Sequence, residues 1–230
     1  MRNRRLVAAA LALVIFTGGA ALAAPPTDRV LPADQYTTDK GKKLASAHNN
    51  ALQDLNAGIY HCWPWVEIQK ASIGFYRPKQ AQQDDRFLSI RIYIEQDPSP
   101  EFSKMAFEQR AAAMVSRYVG PLLRRMSKDS ALTNDANLDG FTTILEWLKQ
   151  APAVNGRPVH ETVAVFIDKA TATDYLAGRA DIKAVAERAR VLGFDGETAL
   201  GQVKLAPTWD DNFVTTYKVK NYQLEPGVTC

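Results

Sequence analysis

The chain has 230 residues, 46% of them hydrophobic, with 28 lysines and arginines against 25 aspartates and glutamates. That length suits one domain or a tightly fused pair, and the apolar share is ample for a buried core. Three of the basic residues and no acid lie within residues 1–24, so the rest carries 25 charges of each sign and lacks the concentrated basic footprint of a nucleic-acid binder.

The first segment reads as a cleaved signal peptide, residues 1–24. Arg2, Arg4 and Arg5 precede an apolar run from Leu6 to Phe16, Gly18-Gly19 interrupts the helix, and Ala21-Leu22-Ala23 offers small residues to a signal peptidase. The run is shorter than the ~20 apolar residues that span a bilayer. Arg4-Arg5 passes straight into the apolar run, which favours the ordinary secretory route over export in the folded state. No cysteine follows at the position a lipid anchor needs. The expected product is an exported protein, periplasmic or extracellular, without membrane attachment after cleavage.

Residues 25–37, rich in proline and polar side chains, read as an extended linker into a single α+β domain over 38–230. The spacing of Leu44, Ala45, Ala47, Ala51, Leu52 and Leu55 predicts a helix from Asp39 to about Asn56, ended by Gly58. An aromatic stretch, Tyr60 to Trp65, leads to a strand from Val66 to about Arg77. Residues Phe87 to Ile94 alternate Leu88, Ile90, Ile92 and Ile94 with polar neighbours, the pattern of a half-buried strand.

Ser99 caps a long helix with Pro100 at its first position, and Gly120-Pro121 is expected to kink or break it. Phe141–Leu148 and Glu161–Asp168 read as partner strands joined through a turn at Asn155-Gly156. Thr171–Asp174 has capping-box spacing for a short helix ending at Gly178. Asp181 caps another, closed by Gly193, and Gly193–Gly201 reads as a turn-rich connector. Residues 202–205 and 213–220 complete the list as strands. Strand, strand, helix therefore occurs twice, over 66–128 and 141–192. The expected fold is α+β: a mainly antiparallel sheet with helices packed on one face, two ββα units and C-terminal strands.

Cys62 and Cys230 are the two cysteines, and in an oxidising compartment a lone pair is expected to bond to each other. The rival readings are a free buried Cys62 and a bond to another chain. Asp135 to Glu146 matches calcium-loop spacing, with oxygen donors at positions 1, 3, 5 and 12 and Gly140 at 6. Leu138 and Thr142 depart from that pattern, and the residues that follow read as strand, so a polar turn is the preferred reading.

His160-Glu161 lacks a second ligand at Ala164, and His61-Cys62 would face apart, so neither makes a zinc site. His48, His61 and His160 bring no recognisable nucleophile with them, and no phosphate-binding loop occurs. Glu67 beside Trp63 and Trp65, and Asp210-Asp211 beside Trp209 and Phe213, are the candidate carboxylate–aromatic pairs of a carbohydrate-active hydrolase.

No catalytic, cofactor-binding or metal-binding residue is singled out, and no cofactor is expected. The leading expectation is a non-catalytic exported binding or structural module with an unidentified protein or small-molecule partner and no nucleic acid. The alternatives are a carboxylate-based hydrolase and a calcium-stabilised exported protein.

Overall fold

Alternation at Phe87–Ile94 creates the strand around which the molecule is built. A computed structural model describes residues 24–79, 81–95, 99–150, 156, 158–205 and 230. In it β3 (Phe87–Ile94) sends Leu88, Ile90, Ile92 and Ile94 into the core, each fully buried. It pairs with β4 (Gly140–Gln150), which pairs with β5 (Val159–Asp168), then β6 (Arg190–Asp195) and β7 (Thr198–Gln202). On its other side β3 takes two short strands, β1 (Val66–Ile68) and β2 (Gly74–Tyr76). The result is a seven-stranded, mostly antiparallel α+β sheet with helices packed on one face, as expected.

Beside an isolated parallel bridge between Val30 and Ile73, the one parallel ladder among the described residues is β3 with β4. A crossover helix set is what such a pair requires. Here it comprises α3 (Pro100–Lys104), α4 (Phe107–Met126) and α5 (Ser130–Asn134). α1 (Asp39–Ala47) and α2 (Asn49–Cys62) precede the sheet, and α6 (Lys169–Leu176) and α7 (Ile182–Arg188) join β5 to β6. Among the described residues no helix is long and apolar enough to cross a membrane.

Several elements depart from the pattern in the sequence, each for a physical reason. The first helix divides at His48, and its second part runs through Gly58 to Cys62. Burial of Leu52, Leu55, Ile59 and Cys62 along one stripe outweighs the helix cost of glycine, about 1 kcal/mol. The expected strand 66–77 is interrupted: Ile68 pairs with Ile92 and Gly74 with Ser89, so six steps on one strand face three on the other. Ala71 absorbs the excess in a left-handed conformation, φ 49°.

The long helix continues through Gly120-Pro121 and breaks instead at Met105-Ala106. Burial of Val119, Leu122, Leu123 and Met126 around the proline holds that segment helical. At the break the Gln109 side chain accepts from the Ala106 amide, 3.0 Å. The Arg110 guanidinium meanwhile donates to the freed carbonyls of Ser103 and Met105.

Asp168, rather than Thr171, caps α6, accepting from the Thr171 amide at 2.7 Å. Gly193 lies inside β6, and the connector after it is the β6–β7 hairpin turning at Gly196. β7 ends at Gln202, short of the expected 202–205.

Residues 25–37 do more than approach the domain. Single 3-10 turns at Thr27–Arg29 and Ala33–Gln35 lead Val30 and Tyr36 into the core, each 5% exposed. Residues 28–31 also lie along the outside of the β1–β2 region. There the Leu31 amide donates to the Ile73 carbonyl, Ile73 to Arg29 and Ala71 to Asp28, at 2.8–3.0 Å.

Residues 1–23, Gln96-Asp97, Asn155, Trp209 to Asp211 and the expected strand 213–220 lie outside the described residues.

Candidate functional site

Packing all helices on one side leaves the outward side chains of β3 to β6 on a face that no described helix covers. The registers set them in rows across the sheet. One row runs Ser89, Thr142, Phe166, Arg190; the next Arg91, Ile144, Ala164, Leu192; the third Tyr93, Glu146, Thr162, Phe194. Four of these, Ile144, Phe166, Leu192 and Phe194, are apolar where a one-sided sheet ordinarily turns polar residues to water. Small residues lie at the centre, and Ser89, Thr142 and Ala164 are each no more than 5% exposed.

The rows enclose a hollow of about 540 Å3, walled on one side by Arg77, Pro78 and Lys79 and at the far corner by Gly196 and Glu197. A second hollow of about 350 Å3 adjoins it across Arg77, Arg91, Ile144 and Phe166 and extends to Lys70 and Tyr76. Burial pushes the Tyr76 phenol up to about 12, and its hydroxyl donates to the Ala71 carbonyl, so it faces the hollow as a neutral group. Volumes of this size are those of small-molecule sites.

The walls are predominantly cationic. Arg91 is held by Glu146 through Nε and Nη2, at 3.1 and 2.7 Å, and His160 Nδ1 lies 3.7 Å from the same carboxylate. The Arg190 guanidinium lies over the Phe166 ring, 4.5 Å from its centre. Lys70 approaches Asp28 at 3.6 Å. Arg77 and Lys79 are exposed, and no described carboxylate lies within ion-pairing distance of either. Glu197 is the one acid among the described residues that line the larger hollow.

A separate hollow of about 540 Å3 lies among the helices, lined by Asp54, Arg125, Lys128 and Asp129 over Leu88. Its charges balance. Arg125 is already spent on the Gly58 carbonyl, 3.3 Å, and the Trp63 ring, and burial lowers its pKa. The sheet face is the better candidate.

The residues marked by the sequence are dispersed. Cys62 and Cys230 are bonded, with Cα atoms 5.7 Å apart. Asp135 bonds His48 Nε2 at 2.9 Å, and Asp139 accepts from Lys40 Nζ and the Arg86 amide, both 2.6 Å. The residues after Gly140 run out along β4, placing Glu146 roughly 20 Å up an extended strand at about 3.3 Å per residue. Positions 1, 5 and 12 of the calcium spacing therefore do not converge, and each carboxylate already serves a cation or an amide. Asp135 to Asp139 is instead a polar turn, Asp135 accepting from the Asn137 amide at 2.8 Å.

Among the described residues no three His, Cys, Asp or Glu side chains are grouped to hold a metal ion. His48 and His160 serve different carboxylates in different parts of the molecule. Glu67 is half exposed beside Arg29, 3.5 Å away.

The basic residues of the sheet face were invisible to sequence reasoning because they come from separate segments of a chain balanced in charge. The apolar outward positions left a trace in Val163-Ala164-Val165-Phe166-Ile167, a continuous apolar run that implies burial on both faces. Compared with family models, with curated proteins and with solved structures, the chain matches none.

Proposed function

We propose that this chain is an exported, non-catalytic binding module whose ligand lies on the helix-free face of its sheet. The observation that carries this reading is the apolar group Ile144, Phe166, Leu192 and Phe194 set around a hollow of about 540 Å3 on that face. Apolar surface gathered in a concavity favours an occupant that removes it from water. Glu146, on the same outward face, is committed to Arg91, which supports binding over acid–base chemistry. Export is supported by the composition of residues 1–24 and by the disulfide, a bond that persists in oxidising compartments.

The experiment is titration of residues 25–230 with Nile red, a neutral probe of apolar sites. Saturable binding is expected, abolished by Thr162→Trp, which fills the hollow from a partly exposed position. Circular dichroism establishes that the variant is folded. Absence of saturable binding, or binding indifferent to Thr162→Trp, overturns the proposal.

A further inference from the structure

Resting on the sheet-face reading, we infer that the occupant is an amphipathic anion: a single-headed carboxylate with an aliphatic or aromatic body. The hollow has two chemically distinct ends. At one end the chain after β2 brings Arg77 and Lys79 beside Arg190, which is already oriented by its stack on Phe166. At the other lie Leu192 and Phe194, with Glu197 at the corner. An anionic head is attracted to the first end and repelled from the second, so charge fixes the direction in which the body lies over the apolar floor.

The cations differ in what they have left to offer. Arg91 spends two donors on Glu146, whereas Arg77 and Lys79 have no described carboxylate beside them. Two cations with no described carboxylate beside them, at the rim of an apolar concavity, favour a charge-complementary ligand. A guanidinium fork matches a carboxylate in geometry as well as in charge. A neutral apolar ligand would use the floor and leave that complementarity unexploited. A dianion or polyanion would gain at the cations but meet Glu197 and the apolar wall.

The test is competition against Nile red by decanoate and by decanol, each below its aggregation limit. The proteins compared are residues 25–230, Arg77→Ala/Lys79→Ala and Thr162→Trp. Decanoate is expected to compete about tenfold more strongly than decanol, an advantage that shrinks as salt screens the charges. Arg77→Ala/Lys79→Ala should remove that advantage and leave decanol unchanged, since both side chains are exposed and outside the core.

Equal competition by the two amphipaths, with Nile red still sensitive to Thr162→Trp, overturns the anion and leaves the sheet-face site standing. Nile red indifferent to Thr162→Trp overturns both. A dimer detected by sedimentation and dispersed by Thr162→Trp would assign the face to a second copy, and likewise overturns the inference.

Discussion

Arg110 on α4 and Glu161 on β5 are joined by two parallel hydrogen bonds, Nε to Oε2 at 2.7 Å and Nη2 to Oε1 at 2.5 Å, with neither side chain more than 4% exposed. Trp147 Nε1 donates to the same carboxylate at 3.0 Å. Glu161 occupies an inward position of its strand, where an apolar residue would be the ordinary choice. Its charge is matched on the spot, and Arg110 in turn caps the broken end of α3.

Removing Arg110 leaves the buried Glu161 with Trp147 and the more distant Lys149, 3.8 Å away, and breaking a buried pair of this kind costs up to about 3–5 kcal/mol. Arg110→Met should therefore lower the urea midpoint sharply, and Arg110→Met/Glu161→Leu should recover much of the loss. If the single and double variants unfold at the same midpoint, the pair does not carry this part of the core.

The Asp135 carboxyl is held down to about 2, chiefly by the hydrogen bond from His48 and then by the Asn137 amide. A carboxyl with a depressed pKa stabilises the fold fully above its ordinary value near 4, and the stabilisation is lost as pH falls toward 2. The loss between those limits should approach 2 kcal/mol. His48→Gln should flatten that part of the pH profile, read from urea midpoints at pH 2 to 5. Calcium and chelator should leave the midpoint at pH 7 unchanged, because Asp135 and Asp139 already have partners.

Cys62 and Cys230 are 168 residues apart in sequence. Closing so long a loop restricts the unfolded chain by about 5 kcal/mol on the entropy model, and measured gains are commonly 2–4 kcal/mol. Cys62→Ser/Cys230→Ser should lower the thermal midpoint, and reductant should lower that of the parent protein to match. A reductant-insensitive parent would show that the bond contributes nothing.

Gly120 lies where α4 meets Tyr175 of α6, and a Cβ there would overlap the Tyr175 hydroxyl. Overpacking of this kind typically costs about 1–3 kcal/mol. Gly120→Ala should destabilise the protein on its own. In a Tyr175→Phe background, with the hydroxyl gone, the same change should be neutral or better, because alanine is the stronger helix former. Equal costs in both backgrounds would place the constraint elsewhere.

The strands most legible in the sequence were those whose two faces differ. Leu88, Ile90, Ile92 and Ile94 gave β3 its bounds, and Phe141–Leu148 and Glu161–Asp168 fell within β4 and β5. Caps at Ser99 and Asp181 were equally plain, since each side chain accepts from an amide three residues on. Less legible was anything decided by tertiary contact. Gly58 and Pro121 read as helix breakers and remain helical because their neighbours are buried. Gly193 read as a stop and is a strand residue packed against Phe107 and Val203. β6 was missed because Val191 and Leu192 were read as the end of the helix closed by Gly193, and Phe194 as part of the connector after it. The candidate site escaped notice for a related reason: its cations and apolar residues meet only when β3 and β4 pair in parallel.

The segment 28–31 occupies the outer side of the β1–β2 region, whereas β7 is exposed along its whole length and among the described residues has no strand beyond it. Unpaired edges are where sheets of separate molecules join. Among the described residues β7 is the longer free edge, and the 28–31 segment, bonded at Ala71 and Ile73, shields the opposite side in part, so strand addition is favoured at β7.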